Sequence, residues 1–434
     1  MAEFVMDNCS VNENGHLTVA GVDTVELARR YGTPLMVLDE NKIRSIARVY
    51  KEAMRKYFGE GSMPLFASKA LSFTGIYRIM AEEGIGSDAV SSGEIYTAKN
   101  AGFDISKMVF HGNNKTDADI EYAISLGIGR FVVDGDEELE AVNEIAGRHG
   151  IKQRIELRIT PGIDPHTHKA ISTGRVDSKF GNAIATGQAE KITVKALSLP
   201  NIELMGFHCH IGSQIFEVEP FVQAAEIMMK YIADIKKKTG FTAKELNLGG
   251  GFGVRYVKEH PYFDYGQAIK TLADKMKRIA SISGIAMPIV FMEPGRSMVA
   301  SAGLTLYTVG SVKRIPDMKN YVSVDGGMTD NPRYALYQSQ YEMVIANKAD
   351  KKADFACSVA GRCCESGDLL AENIMLQGAE KGDVLAVLVT GAYNYAMASN
   401  YNRIPRPELV MIRDGEPYVA IKRESFEDLI RNEI

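Results

Sequence analysis

The feature that most constrains this chain is an alternation. From residue 64 onward, short β-branched or apolar runs take turns with amphipathic helical stretches. The runs are PLFASK (64–69), GSDAVS (86–91), MVFHGN (108–113), RFVVDG (130–135), IELRIT (155–160), LMGFHCH (204–210), ELNLGG (245–250) and IVFMEPG (289–295). Helical patterns fill the gaps, among them 73–83, 92–100, 117–125, 137–148, 219–238 and 265–282. Eight strands with helices between them predict a (β/α)8 barrel. A doubly wound sheet needs fewer strands or a reversal of strand order, and the sequence shows neither.

Past about residue 300 the helical period fades. GLTLYTVGSVKRI, KNYVSVDGG, DFACSVAG and DVLAVLVTGAY read as strands. Asp414-Gly415 between ELVMIR and PYVAIK is a hairpin signal, and Asn14-Gly15 repeats it near the start. The expected division is a barrel over 36–298, with 1–35 and 299–434 forming a second, mainly β domain (a sandwich or barrel). Lys236–Lys238 should close one helix and the acids of 134–140 should open another, each matching the helix dipole.

Composition narrows the function classes. A formal net charge of −5 argues against a nucleic-acid partner. No run approaches the ~20 apolar residues of a membrane helix, and no secretory signal is expected. Five cysteines without a CxxC pair suit a reducing cytoplasm and argue against structural zinc, so no metal is expected.

In such a barrel, function gathers at the C-terminal ends of the strands. Here those ends carry Lys69, Asp88, His111, His210, the Gly249–Gly251 run, and Glu293 with Arg296. Lys69 reads either as a snorkelling side chain or as an amine nucleophile for an aldehyde. LNLGGGFG (Gly249, Gly250, Gly251, Gly253) follows the seventh strand, where bare backbone N–H groups suit a phosphate. His208 and His210 share one strand face and are open to three readings: metal ligands, core histidines, or a flat partner for a cofactor ring. Ser213 beyond them could donate to a phosphate, while His166 and His168 fall in a loop. Glu293 with Arg296 is either a surface ion pair or an acid for a pyridine nitrogen beside a carboxylate-binding guanidinium. Cys364 beside Glu365 in a Gly-bracketed loop is a candidate reactive thiol, with Cys363 next to it.

Taken together, FASKA, HGNNK, PGIDPHTHKAISTG, SKFG, GFHCHIGSQ, LNLGGGFG, EPGR, CESGD and GAYNYAMASNYN resemble the diaminopimelate decarboxylases, within the alanine-racemase-like (fold type III) pyridoxal phosphate (PLP) enzymes. The resemblance runs from about residue 30 to 405. It implies that Lys69 carries PLP, that His210 stacks on its ring, and that Glu293 faces its ring nitrogen. Lys69, Cys364 and His210 form the implied catalytic set, with Cys364 the proton donor, delivered from the partner subunit of a homodimer. Asp88, Ser213, Gly250, Gly251, Gly253, Gly295, Arg296 and Tyr393 match the cofactor contacts. Arg296, Arg333, Tyr337, Glu365 and Tyr393 match the substrate contacts. The implied reaction converts meso-2,6-diaminopimelate to L-lysine and CO2, the last step of lysine biosynthesis. The competing readings are a decarboxylase of ornithine, arginine or carboxynorspermidine, and a non-enzymatic PLP-binding homologue.

Overall fold

The computed structural model describes residues 3–163 and 179–434. His166, His168 and most of the PGIDPHTHKAISTG segment lie outside the described residues. The chain divides into two compact units, one of residues 44–253 and 263–295, the other of 1–43, 254–262 and 296–434.

The first unit is the barrel expected from the alternation. Its strands are β1 (Met63–Ala67), β2 (Gly86–Ala89), β3 (Met108–Phe110), β4 (Arg130–Val133), β5 (Gln153–Thr160), β6 (Ile202–His208), β7 (Glu245–Asn247) and β8 (Ile289–Met292). Each pairs in parallel with the next, and β8 pairs with β1 to close the ring. Leu65, Val109, Val132 and Phe291 pack as one buried cluster. The intervening helices follow the sequence signals. Glu219–Thr239 ends with Lys236–Lys238 in its last turn and Gly240 in the left-handed cap position. Asp136–Arg148 opens with three acids in its first turn.

The barrel interior is not wholly apolar. Arg130 on β4 holds Glu245 on β7 through two bonds of 2.6 Å, with its guanidinium 4.9 Å from the Phe291 ring. Glu156 on β5 is fully buried, and burial together with the Glu245 charge pushes its carboxyl well above the usual range, so it is neutral.

The second unit is mainly β. Its spine is the strand Gly303–Arg314, which pairs antiparallel with Leu35–Asp39, Val384–Leu388 and Asn320–Val324. That pairing is how an N-terminal strand joins a sheet built otherwise from the C-terminal third. Glu408–Arg413 and Glu416–Ile421 form the expected hairpin, with Asp414 and Gly415 both at positive φ, the requirement of a two-residue I′ turn. The Asn14-Gly15 signal also marks a hairpin, between Cys9–Val11 and Leu17–Val19. Its loop is one residue longer, because Asn12 donates its N–H to the His16 carbonyl and only Gly15 takes positive φ. Among the described residues, no helix is long and apolar enough to cross a membrane.

Candidate active site

In the barrel, the predicted residues gather at the C-terminal strand ends. β1 stops at Ala67, and Lys69 sits in the 3-10 turn Ser68–Ala70 just beyond it, exposed rather than buried. The turn is anchored because the Ser68 N–H donates to Asp88 Oδ1 at 2.9 Å. Asp88 on β2 is buried, and desolvation pushes its carboxyl well above the normal range even though the Lys69 charge opposes this.

Glu293 follows β8 and is the centre of the arrangement. It accepts from His111 Nε2 at 2.6 Å, from Asn247 Nδ2 at 2.8 Å and from His208 Nε2 at 3.3 Å. Burial alone would raise its pKa; the two imidazoles outweigh that and hold it well below the carboxylate range. Glu293 is therefore an ionised carboxylate that is 7 % exposed. His208 is itself pushed down by burial to about 4, despite the adjoining carboxylate, and His111 is lowered for the same first reason. Both rings are thus neutral donors, with the proton on Nε2. Asn247 cannot flip, because its Oδ1 accepts the Gly249 N–H at 3.0 Å.

His210 is also neutral, its pKa depressed first by burial and then by the Lys69 and Arg158 charges. Its Nδ1 accepts the Gly250 N–H at 3.3 Å, which places the ring proton on Nε2. The glycine run is required by close backbone approach. A Cβ at Gly250 would lie 2.1 Å from the Glu293 carbonyl oxygen, and one at Gly251, at φ +114°, would lie 2.3 Å from the Gly212 carbonyl. Ser213 belongs to the loop joined to this run through Ile215, which exchanges backbone bonds with Gly251 and Gly253. Gly295 lies against Ala67. His111, His208 and Glu293 also present ligand atoms within 4.8 Å of one another, a set able to hold a metal ion. Lys115 of HGNNK is structural: its ammonium donates to the Gly112 and Val132 carbonyls and to Glu138.

In the β unit, Arg296 opens a short helix (Arg296–Val299), and Arg333 opens another (Arg333–Tyr337). Arg296 and Arg333 each donate an Nη1–H to the Tyr256 hydroxyl oxygen, at 2.9 and 3.0 Å. Arg333 also donates to the Tyr341 hydroxyl (3.0 Å) and the Ser339 hydroxyl (3.2 Å), and Tyr341 donates to Asn394 Oδ1 (3.3 Å). Tyr393, at φ +61°, carries its ring 4.6 Å from the Arg296 guanidinium carbon. Tyr256, Tyr341, Asn394 and, in the barrel, Asn247 were not singled out from the sequence. Asn247 was within reach of the strand-end argument; Tyr256 lies in a loop with no period to mark it.

Tyr337 and Glu365 are not brought to this cluster by any hydrogen bond or ring contact among the described residues. Glu365 is exposed, and among the described residues its side chain accepts only the Gly367 N–H, at 3.3 Å. The two adjacent cysteines separate clearly. Cys363 is buried, and burial plus the Asp368 charge push its thiol up to about 12. Cys364 is exposed, with its backbone N–H on Asn402 Oδ1 at 2.9 Å. All five cysteines are free thiols.

Residues 42–300 match the family described as pyridoxal-dependent decarboxylase, pyridoxal binding domain. A diaminopimelate decarboxylase of Bacillus methanolicus is 47 % identical over 414 residues, covering 95 % of this chain and 96 % of its own length. That of Bacillus subtilis is 44 % identical over 428 residues, covering 99 % and 97 %. The crystal structure of diaminopimelate decarboxylase from M. jannaschii, in complex with L-lysine, superposes with a TM-score of 0.90 at 34 % identity, covering 100 % of this chain and 99 % of its own. The chain belongs to the diaminopimelate decarboxylase family of pyridoxal-dependent decarboxylases.

Proposed function

We infer that this chain removes CO2 from meso-2,6-diaminopimelate and releases L-lysine, using PLP. The observation that carries the chemistry is Glu293, a buried carboxylate kept ionised by three donors. PLP supplies an electron sink for the pair left behind by CO2, provided its ring nitrogen stays protonated.

The residues present fit that group. Lys69 offers an accessible primary amine for the aldehyde. Glu293 offers the negative charge that holds a proton on the ring nitrogen. His210 offers a neutral aromatic face, and the backbone of the glycine run, with Ser213 and Gly295, offers phosphate donors. Asp88, fixed to the Lys69 turn, sets the position of that turn. Arg296 and Arg333 bind the carboxylate that is not lost, and Glu365 its ammonium, with Tyr337 and Tyr393 beside them. Cys364 returns the proton to the carbon that loses CO2. Its exposure on the single chain supports a homodimer in which each subunit lends this thiol to the other. Five free thiols support a cytoplasmic setting.

Ornithine and arginine carry no second carboxylate, so a buried pair of guanidiniums favours diaminopimelate over them. The test is CO2 release from meso-diaminopimelate with ornithine and arginine as rivals. Faster release from either rival would overturn the substrate. Lys69→Ala should abolish both turnover and the near-visible absorbance of the bound cofactor; an unchanged band would remove Lys69 from its role. Cys364→Ala should keep the band and lose about 10²- to 10⁴-fold in kcat, the range for a general acid. Equal loss in Cys363→Ala alone would move the donor.

A further inference from the structure

Tyr256 is placed among charges in a way that the proposed roles do not use. It is 3 % exposed, and its hydroxyl oxygen is the shared acceptor for Arg296 and Arg333, themselves 8 % and 6 % exposed. Among the described residues, no carboxylate lies within ion-pair distance of Arg333; its other partners are the hydroxyls of Tyr341 and Ser339. Two buried like charges repel, and around Arg333 neutral hydroxyls compensate the charge only in part. The Arg333 guanidinium is complete when an oxyanion arrives and takes its remaining N–H donors. The Tyr256 ring is locked edge-on against Tyr341, with centroids 5.4 Å apart at 84°. Its backbone is tied as well, since the N–H donates to His260 Nδ1 and the carbonyl accepts the Glu342 N–H. The oxygen is thus a fixed point to which both guanidiniums are pinned. Burial alone would make its proton harder to lose, and the two guanidiniums more than reverse this, as befits an oxygen held between cations.

We propose that Tyr256 is a positioning residue for substrate, its hydroxyl oxygen fixing Arg296 and Arg333 so that together they receive the carboxylate diaminopimelate keeps. This rests on the reading that these arginines bind that carboxylate. The product L-lysine carries the same carboxylate, and 1,5-diaminopentane is the same chain without it. Inhibition of the holoenzyme by these two compounds therefore isolates the contact.

Tyr256→Phe keeps the ring and removes one oxygen. It should weaken L-lysine inhibition and raise KM for meso-diaminopimelate roughly tenfold, the scale of one hydrogen bond to a charged group. It should leave kcat within about twofold, and 1,5-diaminopentane inhibition and PLP affinity unchanged. A double-mutant cycle with Arg333→Lys should be clearly non-additive, because Tyr256 acts through that guanidinium. Unchanged L-lysine inhibition, equal weakening of both inhibitors, or strict additivity overturns the proposal. Weakened PLP binding with L-lysine inhibition intact would assign the pinned arginines to the cofactor's phosphate and overturn it too. If the unaltered enzyme neither turned over meso-diaminopimelate nor bound L-lysine, the substrate reading beneath the proposal would fail instead.

Discussion

Glu293 in the barrel and Arg333 in the β unit are both less than a tenth exposed, yet their surroundings are built differently. Around the carboxylate, three neutral donors converge from the C-terminal ends of three different strands, so the charge is largely solvated by protein. Around the guanidinium stand phenols and a serine hydroxyl, and a second guanidinium shares one of the phenols. The first arrangement imposes an ionisation state on whatever meets it. The second has donors left over and gains most when an anion supplies the missing charge. A buried charge that is already satisfied tunes chemistry; one that is half satisfied selects a ligand.

The comparison can be broken at either end. Glu293→Gln keeps the shape and removes the charge. It should lower kcat about 10²- to 10³-fold, as losing a preorganised electrostatic contact does, and change the pH dependence of the cofactor's absorbance. Steady-state kinetics and a spectral titration would check both, and a kcat within tenfold would show that the charge is not what matters.

The histidine half of that shell should appear in stability. His208 has its pKa lowered in the fold from 6.5 to about 4. A depressed folded-state value contributes stability that is complete above the unfolded pKa and is lost as pH falls through the folded one. The window is therefore pH 6.5 down to about 4, and the loss is roughly 3 kcal/mol. His208→Gln should keep a donor toward Glu293 yet flatten urea-unfolding stability across that window. Parallel pH profiles for variant and parent would argue against the assignment.

At the other end, Arg333→Met should raise KM for meso-diaminopimelate about 30-fold, corresponding to about 2 kcal/mol from charge-assisted hydrogen bonds, with a smaller change in kcat. An unchanged KM would mean that the leftover donors serve no substrate.

Much of this was legible in the sequence, and for a definite reason. Parallel barrel strands all point their C-terminal ends the same way, so a short run closing on Lys69, Asp88, His111, His210 or Glu293 marks a common rim before any contact is known. What periodicity cannot convey is who bonds to whom. His208 was open to three readings until its Nε2 was seen on Glu293. The glycines after β7 read as a phosphate cradle, and backbone crowding is by itself sufficient reason for Gly250 and Gly251. Lys69, expected within a strand, lies in the turn after it. Cys363 and Cys364 are indistinguishable as letters and opposite in exposure. Tyr256 carried no signal, because a loop residue's partners are set by tertiary contacts alone.

The ring closure between β8 and β1 has a consequence for how the molecule is made. Phe291 pairs with Met63 and Met292 with Pro64, joining segments more than two hundred residues apart. Lys69 follows one of these strands directly and Glu293 the other. Contacts of such long sequence separation are entropically the most demanding to form. The amine and the carboxylate proposed to hold the cofactor therefore meet only when the seam has zipped. A nascent chain still open at this seam has no complete place for PLP, and bound cofactor acts as a latch that favours the sealed ring by mass action. The yellow colour of the holoenzyme would then report a finished barrel as well as a loaded one.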